Sequence, residues 1–224
     1  MKKLKAYTLL EVLIVMSIMI ILMGLAFGSY ASFTETTKFN QDVANLQNDI
    51  LILQRSSMLL ERDPGEYWIY GLGIDFTGIK SGTGEYTFFK WCSAYPEFGN
   101  PETRGEYPYY IEGDPDADGS LPTIGGVLSN DTCEDITSDR LVTLSGTVRG
   151  TLNLKDRVDI ADSDPSYLLF ESVTGRAFLY DNDGWLIQNH TEDLDIQFTK
   201  TYGQNKTLII ENLTGRTKIV DNTP

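Results

Sequence analysis

The sequence predicts an α+β protein, with a long N-terminal helix, half transmembrane and half amphipathic, packed on a β-rich C-terminal body. Three observations predict it. Val12 through Phe27 is almost unbroken Val, Leu, Ile, Met and Phe. Residues 33–62 lack Pro and Gly and repeat large apolar residues at helical spacing. Beyond residue 63, short runs of aromatic and β-branched residues alternate with Gly, Asp and Asn turns.

The first element is a basic leader, residues 1–6, with Lys2, Lys3 and Lys5 ahead of the small Ala6. From Tyr7 to Thr34 the only charge is Glu11. About 20 apolar residues at ~1.5 Å rise cover a ~30 Å hydrocarbon core, so residues 7–28 are read as a membrane span. Lysines before the span and none just after it place the N-terminus in the cytoplasm and the body outside. A secretory signal peptide shares the basic start, but its apolar region is only ~7–15 residues long. Glu11 is the odd residue, because a carboxylate in lipid costs several kcal/mol unless it is paired or lies near an interface.

The second element is an amphipathic helix, residues 29–62. Phe39, Val43, Leu46, Ile50 and Leu53 fall on one stripe. Gln41, Asp42, Asn45, Asn48 and Asp49 are expected on the opposite side. Asp63-Pro64-Gly65 ends the helix with a breaker and a turn former. Residues 7–62 make one rod of ~84 Å, or two with a bend near Gly24 or Gly28. The apolar stripe fits a cover for the body's own sheet better than a coiled-coil seam of about three heptads.

The third element is the body, residues 63–224. Strands are expected at 67–74, 86–91, 141–148, 167–170, 177–180, 194–199, 207–210 and 217–220. Asp183-Gly184 and two Thr-Gly-Arg triplets separate the later ones, and the triplets are read as hairpin turns of one sheet. Residues 96–140 are richer in Pro, Gly and acids and read as a loop-rich insertion.

Charge is divided unevenly along the chain. Residues 1–62 hold six basic and five acidic residues, leaving −15 of the total −14 on the remainder. So acidic a body disfavours nucleic acid and anionic surfaces over most of its area. The two cysteines, Cys92 and Cys133, flank the insertion. In an exported body they read as a disulfide pinning its base, stabilising by ~2–4 kcal/mol; two unrelated buried thiols are the other reading. With no CxxC pair and His190 as the single histidine, zinc and haem sites are poorly supported. No nucleophile–base spacing or phosphate-cradling glycine loop is present, so the chain is not expected to be an enzyme.

Residues Lys5-Ala6-Tyr7-Thr8-Leu9-Leu10-Glu11-Val12-Leu13-Ile14-Val15 resemble the leader of type IV prepilins and pseudopilins. The resemblance implies cleavage between Ala6 and Tyr7 by prepilin peptidase, N-methylation of Tyr7, and Glu11 as fifth residue of the mature chain. There Glu11 would neutralise the N-terminus of a neighbouring subunit during assembly, because two charges each costly in lipid become tolerable as a pair. The family usually has Gly before the cut and Phe after it; Ala6 and Tyr7 keep the small and aromatic character. Tyr70-Gly71-Leu72-Gly73-Ile74-Asp75 and the late strand-turn repeats are similar to the GspH/FimT group of minor pilins. The implied partners are other pilin or pseudopilin subunits, prepilin peptidase, an inner-membrane assembly platform and, before assembly, membrane lipid. The implied location is a single-pass membrane protein that passes into a cell-surface or periplasmic filament.

Two candidate sites remain in the body. Asp114, Asp116 and Asp118 space three carboxylates as the first half of an EF-hand loop does, making Ca²⁺ the one candidate cofactor. Gly125 stands where that loop wants an acid, and a solvated acidic loop is the competing reading. Gly215-Arg216-Thr217-Lys218 resembles the late basic motif of DNA-binding FimT-type pilins, so Arg216 and Lys218 are candidate nucleic-acid contacts against the acidity of the body.

Overall fold

The computed structural model describes residues 8–59, 65–66, 69–92, 121, 133–134, 140–144, 150–153, 158–161, 164–187, 193–199, 205–212 and 214–222, without the side chains of 25–29, 31–32, 143 and 150. Its first element, α1 (Leu9–Met58), is one uninterrupted helix of 50 residues, ~75 Å long at helical rise. No break occurs at Gly24 or Gly28, and the backbone N–H of Leu59 caps the end by donating to Arg55 and Ser57 carbonyls. The helix thus ends at Met58, short of the expected residue 62; Asp63 and Pro64 themselves lie outside the described residues. Among the described residues no helix is long and apolar enough to cross a membrane. The side chains described for the apolar run end at Gly24.

Among the described residues the body holds two antiparallel sheets, which together with α1 make an α+β fold. The larger runs β3 (Arg140–Thr143), β2 (Glu85–Cys92), β1 (Ile69–Asp75), β6 (Tyr167–Glu171), β7 (Ala177–Tyr180), with β4 (Gly150–Thr151) on the other end of β2. The smaller runs β10 (Thr217–Asn222), β9 (Asn205–Ile210), β8 (Leu194–Phe198), β5 (Val158–Asp159). A single helical turn, α2 (Thr77–Lys80), follows β1, where Asp75 accepts from the Thr77 N–H and hydroxyl. Burial lifts the Asp75 carboxyl above its usual range, against those two hydrogen bonds.

The apolar stripe of α1 is buried on the body: Phe39, Val43, Leu46, Ile50 and Leu53 are each 4 % exposed or less. They join one core with Leu72, Ile74, Leu168, Phe170 and the inner residues of β8 and β9. The larger sheet is covered on its second face too, where Trp91, Tyr167, Leu169, Phe178 and Tyr180 form a separate cluster with Leu121. Two covered faces explain why β6 reads Tyr-Leu-Leu-Phe without alternation, every residue buried.

Three further sequence expectations need correction. Asp42 is 1 % exposed, not on the solvent side, and Asp49 is half-buried. Lying three residues from Phe39 and Leu46, each sits at the edge of the apolar stripe. Asp42 accepts from the Asn153 backbone and side-chain N–H groups, and Asp49 accepts from the Tyr86 hydroxyl at 2.6 Å. The Thr-Gly-Arg triplets are hairpin turns, but of different sheets: one joins β6 to β7, the other β9 to β10. The expected strand 141–148 is described only as β3, and Arg140, assigned to the insertion, opens it. The short β4 and β5 gave no sequence signal, two residues being too few to show periodicity.

Candidate functional site

The N-terminal end of α1 is built by Thr8 and Glu11. Thr8 is the N-cap: its hydroxyl oxygen accepts from the Glu11 backbone N–H at 3.3 Å. The Glu11 carboxylate returns to accept from the Thr8 N–H at 2.9 Å and its hydroxyl at 3.0 Å. The pair is a reciprocal capping box, which satisfies helix-end donors that would otherwise stay unmade. The prepilin resemblance points to Glu11 alone and not to Thr8, although Thr-x-x-Glu ahead of an apolar run signals this cap. A carboxylate also sits favourably at the positive end of a helix dipole.

Around that cap, the described apolar side chains are open to their surroundings. Leu9 is 84 % exposed, and the large apolar residues from Leu10 to Met23 are 49 % exposed or more. No described part of the body covers them, in contrast to the stripe from Phe39 to Leu53. A continuous apolar helix surface left bare by its own fold marks a membrane or protein contact. Ala6 and Tyr7 lie outside the described residues, as do Asp114, Asp116, Asp118 and His190.

Residues 1–27 match the prokaryotic N-terminal methylation motif. That motif indicates a type IV pilin-like protein, a structural subunit processed by prepilin peptidase and carried from the membrane into a filament with other subunits. No curated protein and no solved structure matches the chain. The match ends at residue 27, within α1, so the body is known from its own geometry.

In the body, Cys92 and Cys133 form a disulfide across a separation of 41 residues, with Cα atoms 5.3 Å apart. Both residues are fully buried. Beside them the Glu66 carboxylate pairs with Lys90 Nζ and accepts the Cys133 backbone N–H at 3.0 Å. Neither Glu66 nor Lys90 carries a periodic or motif signal, and only the fold brings them together.

The two Thr-Gly-Arg turns share one construction. In each, a Glu four residues before the Gly accepts the glycine N–H through its carbonyl, at 2.9 Å in both. The Thr side chain bonds back to that Glu carboxylate and accepts the Arg backbone N–H. Gly175 and Gly215 hold φ of +66° and +63°. The arginines then diverge. Arg176 pairs with Glu171 at 2.9 Å and lies 5.8 Å from the Phe178 ring centre. Arg216 is exposed and makes no ion pair among the described residues, with Lys218 exposed two positions on along the edge strand β10. Among the described residues no group of three or more His, Cys, Asp or Glu is placed to hold a metal.

Proposed function

We propose that this chain is a minor pilin or pseudopilin of a type IV pilus or type II secretion filament, related to the GspH/FimT group. Its segment 7–28 spans the membrane, prepilin peptidase cuts between Ala6 and Tyr7, and Tyr7 is N-methylated. Glu11 then pairs with the N-terminus of a neighbouring subunit as the apolar halves of the helices pack. The methylation motif carries this reading; the capped Glu11 and the bare apolar surface of α1 support it. The membrane span rests on the sequence of residues 7–28. Ca²⁺ at Asp114, Asp116 and Asp118 stays a proposal of the sequence alone.

The test is the N-terminal residue of the protein purified from native membranes or filaments, read by mass spectrometry. A start at Tyr7 with one added methyl group is expected. An intact Met1 would make the chain an ordinary signal-anchored protein, and a cut beyond Phe27 would make it a secreted one. Glu11→Ala should enter the membrane yet fail to join filaments, and normal incorporation would sink the pairing.

Arg216, exposed and in no ion pair among the described residues, favours a second reading, a pilin whose body contacts DNA or a surface anion through Arg216 and Lys218. Such contacts are electrostatic, so they would weaken as salt is raised.

A further inference from the structure

The disulfide joins β2 to a segment 41 residues away, and closing so long a loop needs something to bring Cys133 to Cys92. Three groups meet there. Lys90 lies on β2 two residues before Cys92, and Glu66 lies just ahead of β1. Their side chains are 6 % and 0 % exposed and form a buried ion pair. The same carboxylate oxygen of Glu66 that meets Lys90 accepts the backbone N–H of Cys133 at 3.0 Å. β1 and β2 are adjacent antiparallel strands with Ile69 opposite Cys92, so their pairing brings Glu66 and Lys90 close to one another. A hydrogen bond to a buried charge is about twice as strong as a neutral one. Glu66 can therefore hold Cys133 before any covalent bond exists.

We propose that the Glu66–Lys90 pair is the template that seats Cys133 for oxidation with Cys92, making Glu66 a positioning residue for the disulfide. With only two cysteines in the chain, any wrong pairing is intermolecular. The template thus keeps copies crowded in one membrane from joining through their bodies. The oxidant is a disulfide donor. One cysteine thiolate attacks it and expels a donor thiolate; the second attacks the mixed disulfide and expels the other. The chain loses two electrons and two protons, and the donor is reduced to two thiols.

The experiment reduces the full-length protein in detergent micelles, adds oxidised glutathione, and follows the intramolecular bond and the disulfide-linked dimer over time. Glu66→Gln should slow intramolecular closure about ten-fold and raise the dimer fraction. Glu66→Leu/Lys90→Met separates positioning from folding. Replacing a buried ion pair with apolar residues is often neutral or stabilising, but it supplies no acceptor for the Cys133 N–H. This double variant should show native circular dichroism and still close slowly. In concentrated denaturant all three proteins should oxidise at one rate. Closure of the double variant at the wild-type rate, or a rate difference persisting in denaturant, would overturn the proposal.

Discussion

Gly175 and Thr214, in hairpin turns of two different sheets, both present a carbonyl oxygen 3.0 Å from one nitrogen, Gln54 Nε2 on α1. One side-chain amide thereby fixes the end of the helix to both sheets at once. One heptad earlier, Gln47 donates to the Thr217 hydroxyl of β10 at 3.2 Å. The opposite edge of the helix carries Asp42 and Asp49, also seven apart, bonded to Asn153 and Tyr86. The apolar stripe supplies the adhesion and the two polar edges set the helix's rotation and register.

Gln54→Leu should destabilise the full-length protein in detergent by about 1–3 kcal/mol, since it leaves two carbonyls without their donor. Denaturant unfolding measures it, and an unchanged midpoint would show that the helix end is held by packing alone.

Alanine at the two turn glycines should have unequal costs. Both positions are left-handed, which costs a residue with a Cβ roughly 1–2 kcal/mol. At Gly175 the new Cβ would meet Met58 Cγ at 2.6 Å, a half-exposed side chain able to swing away. At Gly215 it would meet Phe170 Cε1 at 2.4 Å, a ring that is fully buried. Gly215→Ala should therefore cost about 3 kcal/mol or more and exceed Gly175→Ala. Equal losses in melting experiments would contradict the packing around Phe170.

Alkaline pH should unfold the protein steeply. Burial raises the phenols of Tyr70, Tyr86 and Tyr180 well above the ordinary tyrosine range, and it pushes Tyr167 up to about 12. Each is raised in the folded chain, so its contribution is whole below pH ~10 and is lost as pH rises from there through the folded values. Tyrosinate absorbance and circular dichroism should change together above pH ~10. The Tyr180 hydroxyl is buried without a hydrogen-bond partner among the described residues, so Tyr180→Phe should not destabilise at neutral pH.

Asp75→Asn should stabilise the fold above pH ~4. The carboxyl is raised by burial, so its ionisation works against folding once pH exceeds the unfolded value, and asparagine keeps an acceptor for Thr77. A gain confined to lower pH would reverse the assignment.

Charge removal at Arg216 and Lys218 tests the second reading. Any DNA binding by the purified protein should weaken in Arg216→Ala/Lys218→Ala and lose salt dependence by up to about two contacts. Binding indifferent to both changes would remove these residues from the site.

The amino-acid sequence by itself determined α1 and the eight longer strands, and not the short α2, β4 and β5. The helix was legible because a 3.6-residue stripe and an uncharged run are local patterns, and the eight longer strands because β-branched and aromatic runs stop at turn formers. The methylation motif was legible for the same reason: the basic leader and Glu11 lie within the first eleven residues. Tertiary structure alone decided what meets what. Asp42 looked solvent-facing because its pairing with Asn153, 111 residues away, has no local signature. The Thr-Gly-Arg turns looked like neighbours in one sheet because a turn records its own geometry and not its sheet's pairing. Glu66 and Lys90 gave no signal at all, since a buried ion pair is tolerable only once the chain has brought both charges out of water together.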